Sequence, residues 1–162
     1  MEKLSNQIAL FQVAEITVSY QPKFKASERP TVSSSKDVYN FFFHNWDNTR
    51  IEMIEQFKIM LLNRANKILG IFTVSTGGVA GTVADPKVIF AAALKGNASS
   101  IILAHNHPSG NLKHSEADRQ LTNKLSQAGK LLDISVLDHL IITADEYSHL
   151  LMRDFFEMPP KS

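Results

Sequence analysis

The sequence of 162 residues contains no cysteine. A disulfide, a thiolate nucleophile and a zinc site with cysteine ligands are therefore excluded. Disulfides persist mainly in oxidising environments, so a chain without them suits a reducing compartment. The missing cysteine is consistent with a cytoplasmic protein.

Strong charge and long apolar runs are also absent. The formal net charge is only +1, so the chain has no strong field that would attract nucleic acid or a membrane surface. No run approaches the roughly 20 apolar residues that a membrane span requires. Gln12 and Glu15 interrupt the apolar stretch at the N-terminus, which argues against a signal peptide. We therefore expect a cytoplasmic protein without a membrane segment.

What is present is an ordinary globular composition, with 44% hydrophobic and 20% charged residues. A chain of 162 residues fits one domain with a substantial core. Residues 1–34 are predicted to form an opening strand in IALFQVAEITVSY and then an extended connection. Both belong to the same domain as residues 35–162.

Helix and strand patterns alternate after residue 34. Ser34 or Ser35 is expected to cap a helix through KDVYNFFFHNW, whose aromatic residues pack in the core or, alternatively, serve a partner surface. EQFKIMLLN and KILGIFTVST predict two strands joined as a hairpin. Asp85 and Pro86 predict the start of a further helix, and Gly96 predicts its end.

The alternation continues to the C-terminus. SSIILAH and ISVLDHLIIT predict strands, and SEADRQLTNKLSQAGK predicts a helix that ends at Gly129. ADEYSHLLMRDFF predicts a final helical turn or two. This order of elements predicts an α/β fold in which a central mixed β-sheet is flanked by helices.

A polar stretch, HNHPSGNLKHSEAD, separates two of these elements. His105 and His107 leave the end of a predicted strand on the same side, because residues i and i+2 of a strand share a face. Ser115 is expected to cap the next helix, and Asp118 in its first turn leans back toward the loop. Two nitrogens and one carboxylate oxygen leave a fourth tetrahedral position for water, as in a catalytic zinc site.

Asp118 also has a simpler interpretation. It can complement the helix dipole and complete a capping box with Ser115. A His-x-His pair alone carries little information. The convergence of a strand end, a proline-glycine turn and a helix start at one point nevertheless favours a metal site bound by His105, His107 and Asp118.

These residues resemble a known signature. His105, His107, Ser115 and Asp118 are similar to the JAMM (MPN-positive) metalloprotease motif, which is His-x-His, seven residues, then Ser-x-x-Asp. The segment HNHPSG resembles the bacterial RadC branch of that family. The resemblance extends over roughly residues 35 to 145, and it implies a JAB/MPN metal-binding domain within residues 35–162.

The JAB/MPN layout is broadly like that of cytidine deaminases. Zinc deaminases themselves require a Pro-Cys-x-x-Cys ligand pair, which a chain without cysteine cannot supply. The sequence also has no His-Glu-x-x-His helix and no phosphate loop of the Gly-Lys-Ser/Thr type. Other common enzyme classes therefore fit less well than the JAMM family.

The resemblance implies a zinc-dependent hydrolase with one Zn²⁺ per chain, acting on a peptide or isopeptide substrate. In that family a glutamate that opens an earlier strand is the general base. Glu55 matches this position, and Glu52 is the alternative. Ser115 would stabilise the oxyanion of the tetrahedral intermediate. Asp138 is a candidate to orient a histidine ligand, with bonding to backbone groups as the alternative.

Two features depart from the family pattern. Longer RadC proteins carry an N-terminal helix-hairpin-helix region, for which residues 1–34 show no counterpart. We therefore expect this chain to bind DNA only weakly or through a partner. His114 stands where RadC proteins commonly have proline, and a solvated loop position is expected for it, with the rim of the site as the alternative.

Three functions remain open at this point. The first is a metallopeptidase or isopeptidase, the second is a DNA-repair-associated factor that acts through a partner, and the third is a non-catalytic scaffold that binds metal. The complete set of Glu55, His105, His107, Ser115 and Asp118 favours catalysis over a scaffold. The sequence indicates neither the bond that is cleaved nor the oligomeric state.

Overall fold

The structure is a computed structural model that describes residues 12–78 and 82–151. A mixed sheet of five strands forms the centre of the described part. Along the chain the strands are β1 (Gln56–Leu62), β2 (Ile68–Thr76), β3 (Ser100–Asn106), β4 (Ser135–Ile142) and β5 (Tyr147–His149). Their order across the sheet is β2-β1-β3-β4-β5.

The pairing of the strands explains the mixed character of the sheet. β1 pairs antiparallel with β2, which confirms the predicted hairpin, and antiparallel with β3 on its other side. β3 and β4 are parallel neighbours, and β5 returns antiparallel along β4. Parallel neighbours require a crossover, which here contains the helix that follows the polar stretch.

A side chain caps the N-terminus of each of the three α-helices in the described ranges. The capping oxygen accepts a hydrogen bond from a backbone N–H of the first turn, as predicted for these three positions. None of the helices has both the length and the apolar composition of a membrane crossing. The helices are α1 (Ser35–His44), α2 (Pro86–Lys95) and α3 (Glu116–Leu131), with caps Ser34, Asp85 and Ser115.

Apolar side chains cover both faces of the sheet. On one face, Phe42 of α1 and the nearby Trp46 pack over β1, β3 and β4. On the other face, Ile89 of α2 and Leu125 of α3 pack over the same strands. The sheet is therefore flanked by helices on both sides, which confirms the predicted fold class.

The end of α3 differs from its prediction. Gly129 does not end the helix, which continues to Leu131, and Asp133 adopts the positive φ of 54° beyond it. A Cβ at Gly129 would lie 2.2 Å from the carbonyl oxygen of Ile134. Glycine is needed there for a close approach of the chain rather than for a turn.

Two predicted elements are wrong in the described residues. Residues 12–20 form no strand, because their apolar side chains, such as Val13 and Ile16, are exposed and pair with no sheet edge. Residues 8–11 and 152–156 lie outside the described residues. The segment predicted as a last helical turn instead forms β5, since Tyr147–His149 pairs with Leu140–Ile142.

Candidate metal centre

The three predicted metal ligands come together where β3 ends and α3 begins. The possible ligand atoms of His105, His107 and Asp118 all lie within 4.8 Å of one another. His105 Nε2 is 2.9 Å from His107 Nε2 and 3.4 Å from Asp118 Oδ1. The structure therefore contains a possible metal site made of two histidines and one aspartate.

The loop after β3 holds His107 in place. Its backbone N–H donates to the carbonyl of Ile142, which extends the pairing with β4 by one residue. Gly110 then turns the chain with a φ of 78°, and its N–H donates to the carbonyl of His107. Only glycine adopts this φ without strain. The turn brings the carbonyl of Asn111 against the His107 ring.

Asp118 forms the predicted capping box and directs its other carboxylate oxygen at His105. Its Oδ2 accepts from the backbone N–H of Ser115 at 2.7 Å, while its own N–H donates to Ser115 Oγ at 3.1 Å, which completes a capping box. Its Oδ1 faces His105 instead. Because the two oxygens have different partners, capping does not compete with a ligand role.

The protonation states suit a cation. The carbonyl of Asn111 can only accept, so Nδ1 of His107 must donate to it, and Nε2 is the nitrogen that can bind a metal ion. Burial lowers the pKa of His105 to about 4, although Asp118 opposes the shift. Burial raises the pKa of Asp118, but His105 and the hydrogen bonds from Ser115 outweigh it and keep the pKa low.

Two imidazole rings and one carboxylate thus converge at the end of β3. Such a set of two nitrogens and one oxygen fits a divalent cation that accepts nitrogen and oxygen ligands. The geometry of the donor atoms, independently of the family resemblance, identifies this point as a possible metal site.

Glu55 lies at the start of β1, close to these ligands. Its backbone pairs with Gly77 and Gly78 beyond the end of β2, and Phe57 two residues later is the β1 partner of His105. Burial of its half-buried side chain raises the pKa of Glu55. The charge of His107 and a backbone hydrogen bond from Thr82 lower that pKa, and Asp118 raises it. The carboxyl therefore lies within electrostatic range of the site.

Glu52, the alternative base, is exposed. It lines a cavity of about 260 Å³ together with His107 and the turn from Pro108 to Gly110. Both glutamates thus approach the site, but Asp118 influences the pKa of Glu55. The general-base role of Glu55 stays a prediction.

Ser115 also lies beside the site. Its Oγ is 2.7 Å from Asp118 Oδ2 and accepts from the Asp118 N–H. The hydroxyl proton is directed at a carboxylate in this arrangement, so it would have to turn away to reach an oxyanion. The oxyanion role of Ser115 stays a prediction.

Sequence reasoning missed His139 and Thr122. His139 is fully buried, and its Nε2 is 2.8 Å from Nδ1 of His105. Its Nδ1 is 2.7 Å from the hydroxyl of Thr122 in α3. The signal in the sequence was the polar pair Asp138 and His139 inside an apolar strand, since adjacent residues of a strand point to opposite faces.

Asp138 was the wrong member of that pair. Its Oδ2 is 2.7 Å from Nδ1 of His149, and its Oδ1 accepts from the N–H groups of His139 and Leu151. A register shift between Ile101 and Ile102 decides which residue of β4 faces the ligands. Asp138 therefore bonds to β5 and to backbone groups, as the alternative interpretation held.

His114 is not the solvated loop residue that was expected. Only 9% of its surface is exposed, and its ring lies 6.0 Å from the ring of His139. Its Nε2 is 3.3 Å from Ser148 Oγ, whereas its buried Nδ1 has no hydrogen-bond partner among the described residues. The loop folds inward here because β5 supplies a polar partner.

The fold and the site together define an α/β domain with a candidate metal centre at the end of a central strand. A family model described as RadC-like JAB domain matches residues 32–154. The chain therefore belongs to the RadC-like JAB domain family.

Curated relatives support this assignment. A UPF0758 protein of Flavobacterium johnsoniae is 46% identical over 93 residues, which are 57% of this chain and 41% of that protein. A UPF0758 protein of Salinibacter ruber is 33% identical over 151 residues, which are 93% of this chain and 62% of that protein. A UPF0758 protein of Moorella thermoacetica is 34% identical over 160 residues, 95% of this chain and 69% of that protein. The chain spans less than two thirds of the first two relatives.

Proposed function

We propose that this chain is a zinc-dependent hydrolase of the JAMM type, a metallopeptidase or isopeptidase that acts on a peptide or isopeptide substrate. The observation that carries the proposal is the convergence of two imidazole rings and one carboxylate, those of His105, His107 and Asp118. When bound there, a zinc ion polarises a carbonyl and lowers the pKa of water toward about 7.

Glu55 is the proposed general base. A base must lie near the reacting water without being a ligand, so that its carboxylate stays free to carry the proton. Glu55 is absent from the ligand cluster, yet its pKa responds to both His107 and Asp118. Burial raises that pKa, which makes the carboxylate a better acceptor. Glu55 would then deliver the proton to the leaving amine.

Ser115 is the proposed donor to the developing oxyanion. Its backbone is fixed by the capping box at the start of α3, so its hydroxyl is held next to Asp118. A rotation about χ1 would exchange the carboxylate for the negative oxygen of the intermediate. A preorganised donor of this kind contributes roughly 10²–10³-fold to the rate.

Two substitutions separate metal binding from chemistry. Glu55→Gln keeps the shape but removes the basic oxygen, so zinc content should persist while hydrolysis falls by roughly 10²–10⁴-fold. Asp118→Asn should weaken zinc retention itself, because a neutral amide is a poor ligand. Glu52→Gln is the matched control and should leave both properties near those of the unmodified protein. Zinc is measured by elemental analysis, and hydrolysis by a peptide-library screen.

The same variants also test the competing functions. Equal zinc loss in Glu55→Gln and Asp118→Asn, or loss of hydrolysis only in Glu52→Gln, would show that the base has been misassigned. Zinc binding without hydrolysis of any peptide would favour a scaffold.

With a net charge of +1, we propose only weak binding to duplex DNA. Submicromolar affinity in a mobility-shift assay at physiological salt would reverse that view.

A further inference from the structure

We propose that Thr122 and His139 are positioning residues, which hold His105 in the tautomer that exposes Nε2 toward His107 and Asp118. The inference rests on the metal-binding part of the proposed function. It concerns a chain of side-chain contacts that runs from α3 through β4 to β3. Both residues are buried and act through His105, so neither is a catalytic residue.

The chain consists of three short contacts in the protein interior. The hydroxyl of Thr122 is 2.6 Å from the backbone carbonyl oxygen of Asp118 and 2.7 Å from Nδ1 of His139. Nε2 of His139 is 2.8 Å from Nδ1 of His105. Thr122, His139 and His105 are each at most 2% exposed, so bulk water does not compete for these bonds.

One end of the chain fixes the direction of every proton. The carbonyl of Asp118 can only accept, so the single hydroxyl proton of Thr122 is donated to it. Nδ1 of His139 must then be the donor in its contact with Thr122. The ring nitrogens of His139 contact Thr122 and His105, and no carboxylate in the described part of the chain, so the buried ring is neutral and its Nε2 accepts.

The consequence falls on His105. Since His139 Nε2 accepts, Nδ1 of His105 carries its proton, and Nε2 has a free lone pair. This is the nitrogen that lies 2.9 Å from His107 and 3.4 Å from Asp118. The backbone of one ligand, Asp118, thus sets the tautomer of another ligand through two intervening side chains.

Removal of the hydroxyl would release this constraint. Without an acceptor at residue 122, His139 gains by moving its proton to Nε2 and donating it to Nδ1 of His105. The proton of His105 would then occupy Nε2, the atom that faces the other two ligands. Binding of a metal ion would have to displace that proton or reverse both tautomers.

The experiment compares Thr122→Val with Thr122→Ser. Valine has the shape of threonine without the hydroxyl, whereas serine keeps the hydroxyl and is the matched control. Zinc affinity, measured by competition with a chelator, should fall by roughly 10–100-fold in Thr122→Val and should stay near that of the unmodified protein in Thr122→Ser. A loss of buried methyl packing alone would weaken Thr122→Ser instead.

A second readout does not depend on zinc. Nitrogen NMR of the metal-free protein distinguishes protonated from unprotonated imidazole nitrogens, and His105 should carry its proton on Nδ1. In Thr122→Val the Nε2-protonated form should appear. A proton on Nε2 in the unmodified protein, or unchanged tautomer and zinc affinity in Thr122→Val, would overturn the proposal.

The two proposals can fail separately. If the unmodified protein binds no zinc, the proposed hydrolase is wrong, while the NMR spectrum still decides the tautomer of His105. If Thr122→Val does not fold, the spectrum of the unmodified metal-free protein alone decides the tautomer of His105.

Discussion

Asp138 and His139 are adjacent in β4, and each bonds to another histidine on its own face of the sheet. Asp138 shares the face of Leu140, which packs toward α1, and its carboxylate binds His149 of β5. His139 points toward α3 and binds His105. One strand therefore presents two histidine-containing clusters of different composition.

The two clusters differ in the partners of their carboxylates. On the α1 side, the Asp138 carboxylate accepts from a histidine and from two backbone N–H groups, so its bonding capacity is filled within the protein. On the α3 side, Oδ1 of Asp118 faces His105 Nε2, which in turn lies next to His107 Nε2 at the end of β3. The first arrangement fixes an edge strand, and the second leaves room for a cation.

The largest difference in zinc affinity is expected between two variants that each lack one histidine, one on each face of the sheet. His107→Ala removes a proposed ligand, so zinc affinity should fall by more than about 100-fold, beyond the usual effect of a residue that only orients a ligand. His149→Ala removes the partner of Asp138 and should leave zinc affinity unchanged. Competition with a chelator measures both. A comparable loss of zinc affinity in the two variants would show that zinc binding is not confined to the α3 face of the sheet.

Local sequence patterns were sufficient to predict the helix starts and the position of the candidate site. Ser34, Asp85 and Ser115 cap their helices as predicted, because a cap depends on three or four consecutive residues. The approach of His105 to Asp118 was also predictable, since a strand end and a helix start are separated only by one loop. Short-range geometry thus located the candidate site.

Longer-range geometry determined what the sequence did not reveal. His139 is 34 residues from His105, and its contact with that ligand depends on a register shift in the β3–β4 pairing. β5 was predicted as helical because its strand character comes from pairing with β4 rather than from its own pattern. The same pairing buries His114, whose neighbour Ser148 belongs to β5.

A smaller effect is expected when the pH changes. Burial lowers the pKa of His105 to about 4 and holds that of His139 well below its usual value of 6.5. The unfolded chain therefore binds protons that the folded protein does not. The free energy of unfolding of the zinc-free protein should fall as pH decreases from 6.5 toward 4, by up to about 1.4 kcal/mol per pH unit for each histidine.

Urea unfolding in the presence of a chelator, repeated across this pH range, measures the slope. His139→Gln removes one of the two buried imidazoles and should make the pH dependence shallower, whatever its effect on stability at neutral pH. A free energy of unfolding that is constant between pH 6.5 and pH 5, or an unchanged slope in His139→Gln, would indicate that these rings are protonated in the folded protein.

The smallest expected effect concerns His114, which packs beside His139 but is bonded differently. Both nitrogens of His139 have partners, whereas Nδ1 of His114 is buried and has none in the described part of the chain. A buried nitrogen without a partner has lost its hydration uncompensated. His114→Phe removes that nitrogen, at the expense of the 3.3 Å contact with Ser148, and should raise the free energy of unfolding by about 1 kcal/mol or less.

His114→Gln keeps a polar group and is the control in which the free energy of unfolding should not rise. Because His114 forms no hydrogen bond with the three proposed ligands in the described part of the chain, zinc affinity should change little. Destabilisation by His114→Phe in urea unfolding would show that His114 contributes favourable interactions that outweigh its unpartnered nitrogen.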